Sequence, residues 1–195
     1  MILQRYLLDQ QICRTQELIQ IVKIMAKALF ITVIDLKRKS IIDGNLDADK
    51  VIQFIEVAQD THIQNYLGTD LYNKLQTLIT TGNDINNPVN SHYKSLLTTY
   101  IKPMLIWFTQ SNYLPFAMYQ IGNGGVFKHR SENSDSVTQE EVAMLVNKVS
   151  ETAEFYTRRF IDYMAYNSTL YPEYNSNSNE DMYPDKDVNF HSWVL

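Results

Sequence analysis

A chain of 195 residues, 45% of them hydrophobic, is long enough to bury one sizeable core and too apolar to be disordered throughout. Its net charge of -5 argues against a sequence-specific DNA-binding module, and its single cysteine, Cys13, excludes an internal disulfide framework and a thiolate-rich zinc site. No run approaches the roughly 18 apolar residues of a membrane-spanning helix, so the expectation is a soluble protein, intracellular when made, with no membrane partner.

Apolar residues from Ile2 to Val22 recur at helical spacing and predict a helix over 2–24. Met25-Ala26-Lys27 reads as a second translation start, so residues 1–28 are expected to be an N-terminal helical extension. Thr32 is placed to cap a short helix over 33–39, with Asp35 in its first turn. After a turn at Asp43-Gly44-Asn45, Asp47 caps a helix over 48–66. That helix carries Val51, Phe54, Ile55, Ala58, His62 and Tyr66 on one face and stops at Gly68. Thr69 begins another, with Leu71, Leu75, Leu78 and Ile79 inward, and a polar loop runs on to Pro88.

From Ser91 the helical period returns through Tyr93, Leu96, Leu97, Tyr100, Ile101, Met104, Leu105 and Phe108, with Pro103 predicting a kink or break. The helix continues through Asn112 to Tyr119 before Gly122-Asn123-Gly124-Gly125 interrupts it, leaving a loop over 122–136. Thr138 and Glu141 form a capping box for a long helix to Tyr166, with Val142, Leu145, Val149, Ala153, Tyr156, Phe160 and Tyr163 inward. Beyond Asn167 a Tyr-, Asn-, Ser- and Asp-rich stretch with Pro172 and Pro184 has no period. It is expected to be an extended arm over 168–195 that orders only against something else. The fold class is therefore mostly α: a compact helical bundle over 29–167, with an inserted Gly-rich loop and an extended aromatic C-terminal arm.

No motif supports catalysis. Asp43, Asn45, Asp47 and Asp49 have the first spacings of a calcium loop, but Ala48 stands at the required glycine and Phe54 at the bidentate glutamate. The Gly-rich run follows a helix and meets no phosphate-loop spacing. His62, His92, His129 and His191 show no paired metal spacing. Hence no catalytic residue, metal or cofactor is expected, and the chain is read as non-enzymatic. Two stretches remain as candidate contact sites. The first is the loop of Gly122, Asn123, Gly124, Gly125, Lys128, His129 and Arg130, the most basic spot of the chain. The second is the arm carrying Tyr171, Tyr174, Tyr183, Phe190 and Trp193. Its aromatics, among 13 tyrosines overall, suit docking into a neighbour's pockets.

Phe30-Ile31-Thr32-x-x-Asp35-Leu36-Lys37, Ile42-Asp43-Gly44, the acidic helix start at 47–49 and Ile63-Gln64-Asn65-Tyr66-Leu67-Gly68 together resemble the opening of small phage head–tail connector proteins. Ile121-Gly122-Asn123-Gly124-Gly125-Val126, the capped long helix and Asn167 through Tyr171-Pro172-Glu173-Tyr174 are similar to longer connectors of phages of gut Bacteroidetes, including the crAss-like group. The likeness spans residues 29–175. It implies a homo-oligomeric ring, typically of twelve copies, beneath the portal protein and in contact with neighbouring tail or ring proteins. Packaged DNA would pass through without sequence-specific binding. Residues 122–130 would be the lumen or inter-ring loop and 171–195 the gripping arm, so deleting 171–195 should spare folding and abolish assembly. The implied location is the head–tail junction of a virion, after assembly in the host cytoplasm. The alternatives are a non-viral helical adaptor working through its tail, and a small DNA-binding packaging subunit working through Lys37, Arg38 and Lys39.

Overall fold

Helix α1, Val33–Lys39, opens the folded body. In this computed structural model the described residues are 27–42, 47–80, 84–117, 119–122, 125–128, 138–178 and 180–187. The expected helix over 2–24 and the turn at 43–45 lie outside them. Thr32 caps α1 as anticipated: its hydroxyl accepts from the Asp35 N–H at 3.1 Å, and the Asp35 carboxylate accepts from the Thr32 N–H at 3.2 Å.

Helix α2 starts at Ala48–Ala58, widens into a π-turn over Gln59–Ile63 and finishes with Gln64–Leu67. The widened turn places Gln59 wholly inside the protein. Its amide oxygen accepts from the Phe30 N–H at 2.7 Å, and its amide nitrogen donates to the Ala28 carbonyl and the Tyr72 hydroxyl, both at 3.0 Å. Gln76 grips the same strap, accepting from the Ala28 N–H at 2.6 Å and donating to its carbonyl at 2.9 Å. The Ala28 N–H and carbonyl and the Phe30 N–H are thus satisfied by side-chain amides, which helps an irregular segment lie against the core.

Helix α3, Thr69–Thr80, buries Leu71, Tyr72, Leu75 and Leu78. Helix α4 begins at Ser91–Leu96, passes through a second π-turn over Leu97–Ile101 and continues as Lys102–Ala117. The π-turn is how the helix tolerates Pro103. The proline ring cannot coexist with a tight preceding turn, and the wider turn relieves the clash without a break. The anticipated kink is therefore a change of pitch inside one helix.

Helix α5, Gln139–Asn167, is capped by Thr138 and Glu141 as the sequence indicates. It packs along α4, with the Ser111 and Ser150 hydroxyls 2.7 Å apart and the Tyr100 and Tyr163 rings stacked at 4.2 Å. Its inward row begins late: Val149 is the first buried residue, Val142 is only half-buried and Leu145, level with the exposed end of α4 at 115–117, is exposed.

Two corrections concern the segment between α4 and α5. The helix stops at Ala117 rather than continuing to Tyr119, and the Gly-rich stretch is in part a β-hairpin. Strand β1, Tyr119–Gly122, pairs antiparallel with β2, Gly125–Lys128, in the register Tyr119 to Lys128 and Gly122 to Gly125.

Gly68 joins α2 to α3 at φ 75° and ψ 158°, a conformation essentially reserved for glycine. A Cβ there would stand 2.6 Å from the Pro184 ring. Gly68→Ala is expected to cost at least about 2 kcal/mol, from backbone strain and this collision together. Urea denaturation checks it, and pairing the change with Pro184→Ala should recover only the part due to the collision.

His62 stacks face to face on Phe108, with centroids 4.0 Å apart. Burial lowers its pKa below the ordinary value of 6.5, and a hydrogen bond with Asn112 opposes this without cancelling it. A base whose folded pKa is depressed binds its proton more readily when unfolded. Stability should therefore decline as pH falls below about 6.5, until the folded pKa is passed. Thermal melts between pH 7.5 and 5 should show a decrease that His62→Phe reduces.

Candidate interaction surfaces

The aromatic arm does not stand away from the body. Tyr171 is 0% exposed and Tyr174 is 2% exposed, both within the same core as α3, α4 and α5. The Tyr171 ring meets Tyr93 edge-on at 5.5 Å, and Tyr174 meets Phe160 edge-on at 6.1 Å. The single Tyr171 hydroxyl proton goes to the His92 carbonyl at 3.1 Å, so the Tyr163 hydroxyl, 3.0 Å away, is the donor of that pair. Burial pushes the Tyr171 phenol far above its usual range. Beside it the Tyr93 hydroxyl donates to Glu173 at 2.7 Å, and Lys74 lies 3.9 Å from the same carboxylate.

Further along, the chain is tied to the start of α3. Asp70 accepts from the Ser176 hydroxyl, the Ser178 N–H and the Ser178 hydroxyl, each at 2.8 Å. The Thr69 N–H donates to the Met182 carbonyl and the Asp185 N–H to the Asn65 carbonyl, both at 2.9 Å. These two bonds bracket the Pro184 ring over Gly68. The segment from Tyr171 to Asp185 thus finds its support in its own domain, which corrects the assignment of Tyr171 and Tyr174 to docking in a neighbour. Tyr183 remains half-exposed, with Lys186 5.2 Å from its ring, while Phe190 and Trp193 lie outside the described residues.

Of the basic loop, Gly122 and Gly125 sit opposite each other at the end of the hairpin, and Lys128 lies opposite Tyr119 at its base. Asn123, Gly124, His129 and Arg130 lie outside the described residues. Gly125 has φ 121° and open space where a Cβ would be. The sequence did contain the hairpin signal: an Asn-Gly pair flanked by Gln120-Ile121 and Val126-Phe127 favours a two-residue connection. Of the calcium-like run, Asp47 caps α2 by accepting from the Asp49 N–H at 3.1 Å, an ordinary structural role. Among the described residues, no group of three or more His, Cys, Asp or Glu could hold a metal ion, and no helix is long and apolar enough to cross a membrane.

What the sequence missed is the set of large apolar side chains left in solvent, which besides Val57, Val89, Phe116 and Leu170 includes two groups. On α1 and just beyond it, Ile34 and Ile41 are 61% and 63% exposed. Along α5, Met144, Phe155 and Tyr166 are 66%, 62% and 89% exposed. The three are separated by eleven-residue steps, close to three full turns, and so form one line down the helix. Read for core faces alone, a helix period does not draw attention to its opposite side.

Fold and packing together define a compact, mostly helical protein. The chain belongs to DUF6712, a family of unknown function, whose model matches residues 63–183. That span runs from the π-turn of α2 through the returning tail, so it includes the Tyr171 and Tyr174 anchors. No curated protein and no solved structure matches the chain.

Ending the chain after Leu170 should abolish cooperative unfolding rather than spare the fold, because two core aromatics and the cover of Gly68 are lost. Tyr171→Ala alone is expected to cost about 3–5 kcal/mol, and Tyr171→Phe about 1–3 kcal/mol for the two polar groups left unpaired. Circular dichroism melts of the three variants check the ranking.

Proposed function

We propose that this protein is a structural component of a virion, a head–tail connector that closes into a ring joining the portal to the tail and extending the DNA channel. The observation that carries the reading is the surplus of apolar surface on a body whose core is already complete. Among the described residues every buried side-chain polar atom has a partner, and the core is continuous from Phe30 to Tyr174. Folding therefore has no need of Ile34, Ile41, Met144, Phe155 or Tyr166, and exposed apolar groups arranged on faces mark contact surfaces. The sequence likeness over 29–175 supplies the kind of assembly. The net charge of -5 suits a conduit that must not hold the phosphates passing through it.

In this reading the hairpin, rather than a loose loop, is the element offered to the lumen or to the next ring, and DNA passes without base contacts. The adaptor alternative loses part of its support, because Tyr171 and Tyr174 of the tail it would use are buried in the protein's own core. Native mass spectrometry of the isolated protein and of purified particles tests the proposal. A closed ring, or a fixed copy number beside a portal protein, is expected. A monomer absent from every particle would overturn it.

A further inference from the structure

The tail returns to the body in two parts that are held differently. Tyr171 and Tyr174 are enclosed in the core. From residue 175 to residue 187, Pro184 is the one buried residue among those described, and the others are half-buried or exposed. What holds this second part is largely polar. Near its start the Asp70 carboxylate accepts the three 2.8 Å bonds from Ser176 and Ser178. Near its end the Thr69 N–H donates to the Met182 carbonyl, the Thr69 hydroxyl donates to Asp181 at 2.9 Å, and the Asp185 N–H donates to the Asn65 carbonyl. Lys186 adds an exposed cation 4.9 Å from the Tyr174 ring. A segment with little apolar burial and solvent-facing hydrogen bonds opens at a fraction of the free energy of global unfolding.

The hydrogen bonds to the body all end on residues 65–70, the junction of α2 and α3. There Gly68 leaves room for the Pro184 ring, with a backbone acceptor at Asn65 and a backbone donor at Thr69 beside it. Such a junction fits an extended segment that carries a proline between a free carbonyl and a free N–H, and residues 182–185 supply that pattern. The closed arrangement also carries strain. Glu180 has φ 50°, a left-handed conformation that suits Gly, Asn or Asp, inside a turn closed by Asn177–Asp181 bonds of 3.0 and 3.1 Å. Releasing the segment relieves that strain and withdraws only one buried side chain of its own, Pro184, from the body.

We propose that residues 176–187 are a latch, a strap that opens and closes as one unit while Tyr171, Tyr174 and the helices stay folded. Closed, it fills the α2–α3 junction with the chain's own segment and keeps other extended segments out. Open, it bares the Thr69 N–H and the Asn65 carbonyl together and frees twelve residues, about 40 Å of chain when extended. The latch depends on the fold alone, so it stands or falls separately from the ring.

Hydrogen–deuterium exchange of the full-length protein, resolved to single amides by mass spectrometry, tests this. The Thr69, Ser178 and Asp185 N–H groups each make their bond only when the strap is closed. They should share one protection factor, about 100-fold or more below that of Leu105 in the middle of α4. Glu180→Asn, which suits the left-handed turn, should raise that shared protection about threefold, and Pro184→Ala should lower it about fivefold or more. Ile55→Val, a change inside the core on α2, should lower the protection of Leu105 about fivefold and leave the three strap amides unmoved. If Ile55→Val speeds the strap amides as much as Leu105, the strap leaves only when the whole protein unfolds, and the latch is overturned. Strap amides that differ among themselves by more than about tenfold, or that respond separately to Pro184→Ala, overturn it as well.

Discussion

The middle of helix α4, from Ile101 to Gln110, cannot be left uncovered on any side, and the rest of the fold follows from that constraint. Leu96, Leu97, Ile101, Met104, Leu105, Ile106 and Phe108 are buried and distributed around its circumference, with Thr109 and Gln110 buried among them. A helix apolar all round is stable in water only when enclosed. α1 and α2 close one side, α5 closes another, and the C-terminal segment seals what remains near Tyr93. The polar residues inside are handled locally: Thr109 returns its hydroxyl to the Leu105 carbonyl at 2.7 Å, and the Gln110 amide nitrogen donates to the Ile106 carbonyl at 3.3 Å. The enclosure costs no unsatisfied side chain among the described residues.

The two π-turns are adaptations to this packing. In α2 the extra residue rotates Gln59 inward, where its amide can hold the 28–30 strap, and brings His62 onto Phe108. In α4 it lets one continuous helix pass through Pro103. Both turns widen a helix where a regular one would have left a clash or a buried backbone group without a partner.

The returning tail divides the molecule's surface into used and unused parts. By filling the groove at Tyr93 and covering Gly68, it withdraws Tyr171, Tyr174 and Pro184 from any external contact. What stays outside includes the apolar line on α5 and Ile34 and Ile41 at α1, along with Val57, Val89, Phe116 and Leu170. The family match through Tyr183 fits this division, since it treats the tail as part of the domain.

Local chemistry made much of the architecture legible. The Thr32 and Thr138 caps, the Asp47 cap and the stop at Gly68 are decided within a few residues by backbone groups that need partners, and the sequence determined them alone. It also determined the inward face of α3, and that of α2 as far as Val51, Ile55 and Ala58; beyond the π-turn the face rotates, so that Gln59, Ile63 and Leu67 are buried while His62 and Tyr66 are only half-buried. Tertiary structure decided everything that depended on a distant partner. Leu145 has the right spacing to be core yet is exposed, because it lies level with the exposed end of α4 at 115–117. Tyr171 and Tyr174 have no period at all yet are core, because their supports at His92, Tyr93 and Phe160 are remote in sequence. The hairpin lay between: its Asn-Gly signal is local, but a helical stretch running into it masked the change of period. The sequence by itself thus determined where helices begin, end and turn their apolar sides. Which apolar side chains are enclosed and which remain for a partner depends on which surfaces meet in three dimensions, and only the packed molecule settled that.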